Sequence, residues 1–400
     1  MNHLPIIRPV LGDSLYIAQG VDSLPLNSFR HFHPESSLQY SPLCDDFGPM
    51  NMACVVSFIV QLDKELDDFP SSRLVYCADD GKRGLTNAVF LLGSYLILML
   101  DHSIEDVIDC FNWLEAEQYE EYRDATFSKP TFRLALVDCW SGLVKGKQLG
   151  WVGPPDADGF CGLLDMREYA HYDDPLNGDL HEVVPGKLVA FVGPHDLGAD
   201  LYRDDESGRR VFSAAFFADE LADRGVAAVV RLNEAASYDA AAFSARGLEV
   251  IDLPFDDCTA PPPAVAEAFL AAVASAARPV AVHCKAGLGR TGTLIALWLM
   301  RTHGFTAREA MGWLRIMRPG SVIGEQQHYL CEVERAAAGG GDWHEAGSAG
   351  ASDAERAAQR RQAAELGEEV WAGAGRRGAG RAGRPACGCA EAEASSNKWP

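Results

Sequence analysis

The sequence predicts an α/β protein with two similar halves, each a central sheet flanked by helices. Residues 74–99 and residues 280–300 share one layout, in which an apolar strand is followed by a loop and an apolar helix. Between residues 227 and 300, short apolar runs alternate with helical patterns, which is typical of a partly parallel sheet between helices. A chain of 400 residues with 48% hydrophobic residues is long enough to form two such cores.

Composition divides the chain into four segments. We predict a first domain over residues 1–162, a charged linker over residues 163–178, a second domain over residues 179–335 and a disordered tail over residues 336–400. Glycine and proline cluster before the linker, which marks the first boundary. In the tail, Ala, Gly and Arg replace aliphatic residues, so this segment cannot bury enough apolar surface to offset the entropy of ordering.

The first half begins with short apolar runs separated by turn residues over residues 10–60, which predicts strands and then a helix. The apolar positions of that helix are Met52, Val55, Phe58, Ile59 and Leu62. The later elements are a strand over residues 74–77, a helix over residues 87–99, a capping box at Ser103 and Asp106, and a helix from Leu134. The helix over residues 87–99 is thus expected to begin beyond Arg83.

The second half is predicted to alternate strands with helices after an opening strand near Val183. Strands are expected over residues 227–232, 248–253 and 280–283, with helices near residues 238–245, 264–276 and from Leu294. In such a sheet, the loop after residue 283 lies at the carboxyl end of a strand, where open α/β sheets bind ligands.

That loop carries the most informative motif of the chain, from His283 to Gly292. Cys284 and Arg290 are separated by five residues of glycine-bearing backbone. Such backbone curls, so its amides can converge on a tetrahedral anion at a helix N-terminus. This environment favours the thiolate of a cysteine, and an arginine fork grips two phosphoryl oxygens at once. The motif therefore predicts a phosphate cradle with Cys284 as nucleophile; the bland alternative is an ordinary turn with a buried cysteine.

The remaining residues of the motif have supporting roles. The predicted phosphate-binding set is Lys285, Ala286, Gly287, Leu288, Gly289 and Arg290. Thr291 is expected to donate its hydroxyl to the departing thiolate in a second step. His283 is expected to fix the loop by hydrogen bonding. No metal or cofactor is needed, because the cradle supplies its own electrostatics.

The segment from His283 to Gly292 resembles the signature loop of cysteine-based dual-specificity protein phosphatases. With Leu288 and the segment RPGSVIGEQQ at residues 318–327, it is similar to the cell division cycle fourteen (mitotic-exit) phosphatase family over residues 10–334. The resemblance implies two tandem cysteine-phosphatase-like domains, the first inactive, and a phosphocysteine intermediate. It also implies that residues 163–178 form the linker helix between the two domains.

The first half repeats the spacing of the motif without its chemistry. Cys77 and Arg83 are also separated by five residues, but Tyr76 replaces the histidine. Asp79 and Asp80 lie where a phosphate dianion needs amides and positive charge, and like charges repel. We therefore predict a catalytically degenerate, structural copy of the second domain.

The mechanism also needs an acid, because an alkoxide is a poor leaving group at neutral pH. Asp257 is the candidate, since it follows a strand in a loop, and its separation from Cys284 matches the resemblance; Asp256 is the alternative. The resemblance further implies that a glutamine, Gln326 rather than Gln327, orients the water that hydrolyses phosphocysteine. The alternative is that both are surface glutamines. Glu325 stands where the family usually has proline.

Substrate preference rests on the resemblance alone. The family prefers phosphoserine followed by proline with a basic residue downstream, and it uses acidic residues of the linker as a groove. Asp173 and Asp179 stand at matching positions, whereas Ala170 replaces a usual glutamate. The alternative is that this acidity serves only solubility. Two rival functions are a phosphoinositide phosphatase, which usually carries a lysine where Leu288 stands, and a non-catalytic phosphoprotein-binding scaffold.

Charge and cysteine content indicate the class of partner and compartment. The net charge is −22, and residues 335–400 hold equal numbers of basic and acidic residues, so the excess lies in the folded part. Such a surface disfavours nucleic acids and anionic membranes and favours basic peptides. The opening residues lack a secretory pattern, and the apolar run 89–100 is too short to cross a bilayer.

Eleven cysteines without paired spacing indicate a reducing, intracellular compartment, and Cys387 and Cys389 lack further ligands for a metal. The resemblance implies nucleus or nucleolus, cytoplasm, centrosome or basal body, with a role in cell division or the cilium and cytoskeleton. Physiological substrates and the oligomeric state stay open.

Overall fold

The computed structural model describes residues 6–20, 29–34, 38–206 and 208–340. The predicted disorder beyond residue 340, with Cys387 and Cys389, lies outside these residues.

A four-stranded sheet forms the middle of the first domain. Its strands are β1 (Ile6–Leu11), β2 (Leu15–Gln19), β3 (Phe29–Phe32) and β4 (Arg73–Cys77). They lie in the order β1-β2-β4-β3, with β1 antiparallel to β2 and the other neighbours parallel. Within the part of the chain that the structure describes, β3 pairs only with β4 and is therefore an edge strand.

Four helices accompany this sheet: α1 (Met52–Asp68), α2 (Gly81–Leu100), α3 (Ile104–Cys110) and α4 (Leu136–Gln148). All five apolar positions predicted for α1 are buried. The capping box is also confirmed, because the Ser103 side chain accepts from the Asp106 amide while the Asp106 carboxylate accepts from the Ser103 amide. The prediction that α2 begins beyond Arg83 is wrong. Asp80 occupies the N-cap position without a side-chain capping bond, and Gly81, at φ +85°, begins the helix, so Arg83 lies in the first turn.

Helix α2 is the one helix among the described residues that is long and apolar enough to span a bilayer. In the fold, however, 72% of its apolar window is buried. That burial is typical of the central helix of a protein core.

The second half begins with two short strands and the linker helix, and continues into the second domain. Its elements are β5 (Phe160–Cys161), β6 (Leu164–Asp165), α5 (Met166–Asp173), β7 (Leu180–Val184), β8 (Leu188–Phe191), β9 (Tyr202–Asp204), β10 (Arg210–Phe212), α6 (Ala214–Asp223), β11 (Ala228–Arg231), α7 (Ala241–Ala245), β12 (Glu249–Asp252), α8 (Pro263–Ser275), β13 (Val280–His283), α9 (Gly289–His303), α10 (Ala307–Met317) and α11 (Glu325–Ala338). Helix α11 continues to Ala338, past the predicted start of the tail at residue 336.

The main sheet of the second domain has the order β12-β11-β13-β8-β7. Strands β12, β11, β13 and β8 are parallel, and β7 is antiparallel to β8, so the predicted partly parallel sheet is confirmed. All four residues of β13 are buried because it lies in the middle of this sheet. The loop that follows β13 therefore starts from one of the most enclosed strands of the domain.

Helices α4 and α10 join the two domains through glycines. A Cβ atom on Gly142 would lie 2.5 Å from the Glu309 carbonyl oxygen, and one on Gly146 would lie 2.2 Å from the Trp313 ring. A Cβ atom on Gly312 would lie 2.6 Å from the Asp138 carbonyl oxygen. The two helix backbones thus approach more closely than any side chain at these positions permits. One buried apolar cluster continues through both domains.

Candidate active site

The loop between β13 and α9 has a backbone that its neighbours enforce. Gly287 has φ +70°, and a Cβ atom there would lie 2.1 Å from the Phe191 carbonyl oxygen. A Cβ atom on Gly193 would likewise lie 2.2 Å from the Cys284 carbonyl oxygen. Side chains are excluded at both positions, so the loop packs directly on the end of β8 and the residues after it.

Cys284 and Arg290 are both buried, each with 2% of its surface exposed. Cys284 directly follows β13, and Arg290 lies in the first turn of α9. Arg290 Nη1 donates to the carbonyl oxygens of Leu232 at 3.1 Å and Phe255 at 3.0 Å. These two bonds fix the guanidinium between the loop after β11 and the loop after β12.

His283 holds the loop from below. Its Nδ1 lies 3.0 Å from the Cys284 carbonyl oxygen and its Nε2 lies 2.7 Å from the Tyr238 hydroxyl. Burial lowers the pKa of His283 to about 4, so the ring is neutral at physiological pH. The hydrogen-bond network assigns the proton to Nδ1, which donates to Cys284, while Tyr238 donates to Nε2. Sequence reasoning missed Tyr238, which is 45 residues away from His283 in the chain.

Thr291 is fully buried, and its hydroxyl has no hydrogen-bond partner among the described residues. The neighbouring Thr293 differs, because its hydroxyl donates to the Gly289 carbonyl oxygen at 2.8 Å. A buried hydroxyl without a protein partner is costly, and a catalytic role is one reason for retaining such a group. The environment of Thr291 suits the predicted donation to a thiolate.

Asp257 reaches the cradle, whereas Asp256 is exposed. Asp257 Oδ1 lies 3.1 Å from Arg290 Nε, although the Nε–H is not aligned as a hydrogen bond. The same oxygen accepts from the amide of Cys258 at 3.0 Å, and Cys258 has φ +53°. The side chain of Asp257 is 29% exposed, so it contacts both the arginine and solvent.

The two glutamines have different surroundings. Gln326 is fully buried, and a Cβ atom built on Gly289 would lie 2.9 Å from its Oε1. Its Nε2 donates to the Thr259 carbonyl oxygen at 3.0 Å, which ties it to the loop of Asp257. Gln327 instead accepts from Arg315 Nη2 at 2.7 Å, inside the domain. The alternative of surface glutamines is wrong, and the geometry favours Gln326 beside the cradle.

Arg318 braces the loop from the other side. Its Nε donates to the Gly287 carbonyl oxygen at 2.7 Å and its Nη2 to that of Ala286 at 3.1 Å. Its Nη1 forms an ion pair with Asp179 Oδ1 at 2.8 Å. Asp179 is 5% exposed, so this carboxylate is a buried partner of Arg318.

The same network reaches the linker helix. Arg318 Nη1 lies 2.8 Å from His181 Nδ1, and His181 Nε2 lies 3.0 Å from Asp173 Oδ1. An arginine only donates, so Nδ1 accepts and Nε2–H donates to Asp173. Burial lowers the pKa of His181, which keeps the ring neutral. Asp173 is 5% exposed, so both groove candidates are buried carboxylates with protein partners rather than charges open to a substrate.

Residues of the first domain also contact the active-site loops. Leu43 and Ala125 share a buried apolar cluster with Ala286, Leu288 and Ile323. A hydrogen bond also joins the two domains here. Asp124 Oδ2 accepts from the Gly324 amide at 2.8 Å. Sequence reasoning did not predict these contacts, because nothing in the local pattern indicates which surfaces of the two domains meet.

The equivalent position of the first domain is arranged differently. Arg83 Nη1 bonds to Asp45 at 2.8 Å and Arg83 Nε to Glu120 at 3.0 Å, so two carboxylates occupy the guanidinium. The hydrogen bonds that Arg83 donates to these carboxylates raise the pKa of its guanidinium. Asp79 and Asp80 follow Cys77 and are exposed. An arginine neutralised in this way does not offer a phosphate its charge, which supports the degenerate assignment.

Comparisons with known proteins agree with this architecture. The family described as "Dual specificity protein phosphatase, N-terminal half" matches residues 10–146, and the family "Polymorphic toxin system, DSP-PTPase phosphatase" matches residues 209–304. The tyrosine-protein phosphatase cdc-14 of Caenorhabditis elegans is 37% identical over 75% of this chain and 42% of its own length. The human dual specificity protein phosphatase CDC14A is 38% identical over 76% of this chain and 50% of its own length.

A further relative, CDC14AB of Danio rerio, is 36% identical over 82% of this chain and 52% of its own length. The chain therefore spans about half the length of the curated relatives it matches. Both the tandem arrangement of two phosphatase-type domains and these identities lead to one assignment. The chain belongs to the Cdc14 family of dual-specificity protein phosphatases.

Proposed function

We propose that this protein hydrolyses phosphoserine, phosphothreonine and phosphotyrosine in proteins through a phosphocysteine intermediate. The observation that carries the proposal is the position of Cys284 and Arg290. Both are buried at the N-terminal end of α9, with the carboxylate of Asp257 3.1 Å from the guanidinium. Nucleophile, anion clamp and acid are thereby within one site.

In the first step, Cys284 Sγ attacks phosphorus as a thiolate. The S–P bond forms while the bond from phosphorus to the seryl or tyrosyl oxygen breaks, and Asp257 gives its proton to that oxygen. Arg290 and the amides of residues 285–290 hold the equatorial phosphoryl oxygens as charge redistributes among them. His283, by donating to the Cys284 carbonyl oxygen, keeps the nucleophile at the floor of the cradle.

In the second step, water attacks the phosphocysteine. Gln326 orients this water, since its amide lies beside Gly289 of the cradle and is tied to the loop of Asp257. Asp257, now ionised, takes the proton of the water, and the S–P bond breaks to release inorganic phosphate. The unpartnered hydroxyl of Thr291 donates to the departing thiolate.

The substrates we propose are phosphoproteins with Ser-Pro sites and a basic residue downstream. The net charge of −22 supports a basic peptide partner rather than a nucleic acid. This preference is typical of a phosphatase that reverses proline-directed phosphorylation in cell division or in the cilium and cytoskeleton. The corresponding places of action are nucleus or nucleolus, cytoplasm, centrosome and basal body.

Hydrolysis of a phosphoserine-proline peptide, measured beside that of a phosphoinositide, tests the substrate class. Leu288 is fully buried with other apolar side chains, so it offers no charge to a second phosphate, and we expect the peptide to be preferred. Preferred turnover of the phosphoinositide would contradict the proposal. Tight phosphopeptide binding without any phosphate release would instead indicate a scaffold.

A further inference from the structure

Three metal-ligating side chains meet at the edge of the first-domain sheet, away from the cradle. His31 lies in β3, His33 follows it, and Cys77 ends β4. One ligand atom from each lies within 4.8 Å of the others. The sequence analysis expected no metal, because the cradle supplies its own electrostatics. Cys77 is far from the two histidines in the chain and becomes their neighbour only through the pairing of β3 with β4.

The pairing of β3 with β4 explains why all three share one face. The strands are parallel, with Phe32 opposite Tyr76. The rings of Phe32 and Tyr76 are 5.8 Å apart and both side chains face the core, with 4% and 7% of their surfaces exposed. Since side chains alternate along a strand, His31, His33 and Cys77 point to the opposite face.

On that face, the cluster is open to solvent. His31 and His33 are exposed, Cys77 is half-buried, and the two imidazole rings are 6.2 Å apart. Zinc bonds of about 2.0 Å to nitrogen and 2.3 Å to sulfur place tetrahedral ligand atoms about 3.3 to 3.6 Å apart. Exposed imidazoles rotate freely, so a movement of about an ångström brings the three atoms to those separations.

We propose that His31, His33 and Cys77 bind a Zn²⁺ ion, with water as the fourth ligand. Thiolate and imidazole are the ligands that zinc prefers, and binding releases the proton of the Cys77 thiol to solvent. Asp79 and Asp80 follow Cys77 closely in the chain and are exposed, so this end of β4 carries negative charge. The ion joins the edge strand β3 to β4.

Metal binding is measured directly on the full chain kept in a mild phosphine reductant. Cobalt(II), which occupies zinc sites and gives a thiolate charge-transfer absorption, is added and then displaced by zinc. Equilibrium dialysis with Zn²⁺ alone gives the dissociation constant. We expect a thiolate band in the wild type that is absent in Cys77→Ser. The His31→Ala/His33→Ala variant should bind zinc more weakly by on the order of 100-fold or more, because even the loss of outer partners costs 10- to 100-fold.

Two matched controls separate this site from other thiols. Cys110→Ser removes a half-buried thiol of the same domain. Cys387→Ser/Cys389→Ser removes the two thiols that lie close together in the sequence of the tail. Both control variants should retain the cobalt–thiolate absorption band and the zinc affinity of the wild type. A band that persists in Cys77→Ser but disappears in the tail variant or in Cys284→Ser would overturn the proposal.

Thermal unfolding provides an independent measurement. A ligand that binds only the folded state raises the unfolding temperature, so zinc should raise that of the wild type and of Cys110→Ser. The increase should be absent in Cys77→Ser and in His31→Ala/His33→Ala, whereas their metal-free unfolding temperatures and phosphopeptide turnover should match those of the wild type. An equal increase in all these proteins would place the zinc elsewhere and contradict the proposal.

Discussion

Asp257 Oδ1 lies 3.1 Å from Arg290 Nε, so the residue that we assign as acid contacts the residue that we assign as phosphate clamp. The two residues are far apart in sequence. Asp257 lies in the loop after β12, and Arg290 donates to carbonyl oxygens of the loops after β11 and β12. For the acid role, the Asp257 carboxyl has to leave Arg290 and contact the leaving-group oxygen when substrate binds. The acid role then predicts a dependence on the leaving group.

We expect Asp257→Ala to slow hydrolysis of a phosphoserine peptide by on the order of 100-fold or more. An aryl phosphate with an acidic leaving group needs no proton, so its hydrolysis should change far less. Steady-state kcat on both substrates gives the comparison. Asp256→Ala, at the exposed neighbouring position, is the control and should resemble the wild type. Equal losses on both substrates would point to structural damage or to Asp256.

Cys284→Ser should abolish turnover and retain phosphopeptide binding, because the amides of the cradle and Arg290 are unchanged. Fluorescence anisotropy with a labelled phosphopeptide measures the binding, and phosphate release measures the turnover. Substantial residual turnover would refute Cys284 as nucleophile. A trap of this kind also retains substrates from a cell extract for identification by mass spectrometry.

Gln326→Ala should slow the hydrolysis of phosphocysteine more than its formation, so a burst of leaving group followed by slow turnover is expected. Rapid-quench measurement with an aryl phosphate resolves the two phases. Gln327→Ala is the matched control. It should lower the free energy of unfolding by about 1 to 3 kcal/mol, because the buried Arg315 loses an acceptor, and it should leave the kinetics nearly unchanged. A burst in Gln327→Ala alone would exchange the two assignments.

The burial of His283 predicts that the free energy of unfolding decreases as the pH falls. Its folded-state pKa is about 4, below the ordinary 6.5, so the unfolded chain binds a proton between these values and the folded protein does not. Stability therefore decreases as pH falls from 6.5 toward 4, by at most about 3 kcal/mol from this residue. Urea unfolding of the wild type and His283→Asn at several pH values should give a shallower decrease in the variant. Parallel pH dependences would contradict the assignment of a neutral ring.

The net charge of −22 predicts a substrate preference that salt weakens. Phosphoserine-proline peptides with Lys, Ala or Glu three residues downstream should be turned over in that order of kcat/KM at low salt. The differences should shrink at high salt, because salt screens the attraction between the negatively charged protein and a solvated basic residue of the peptide. Since Asp173 is buried against His181, Asp173→Ala should also lower the free energy of unfolding. Equal turnover of the three peptides at low salt would leave the acidity of the protein without a role in recognition.

Local patterns predicted the elements that carry chemistry. Strand β13 has the bounds that the apolar run indicated, and the capping box of α3 forms as its two residues require. These two predictions succeed because hydrophobic periodicity and helix capping depend on residues that are close together in the sequence. The predicted start of α2 was too late because glycine is typical of loops. Here Gly81 is the first residue of the helix and has a positive φ.

Features set by tertiary contacts escaped prediction. The sequence shows Asp173 and Asp179 as charges in a polar segment, and only the fold encloses them beside His181 and Arg318. A charge pattern cannot distinguish a solvated carboxylate from one with a buried partner far along the chain. The bond from Asp124 to Gly324 is a second example, because it joins residues of different domains.

The glycines that let α4 and α10 approach have a consequence for how the chain unfolds. Because backbone lies against backbone at Gly142 and Gly312, we expect the two halves to unfold as one cooperative unit. A chain cut at the linker should expose to water the face that carries Trp313 and should self-associate through it. The first half would thus cover an apolar face of the second.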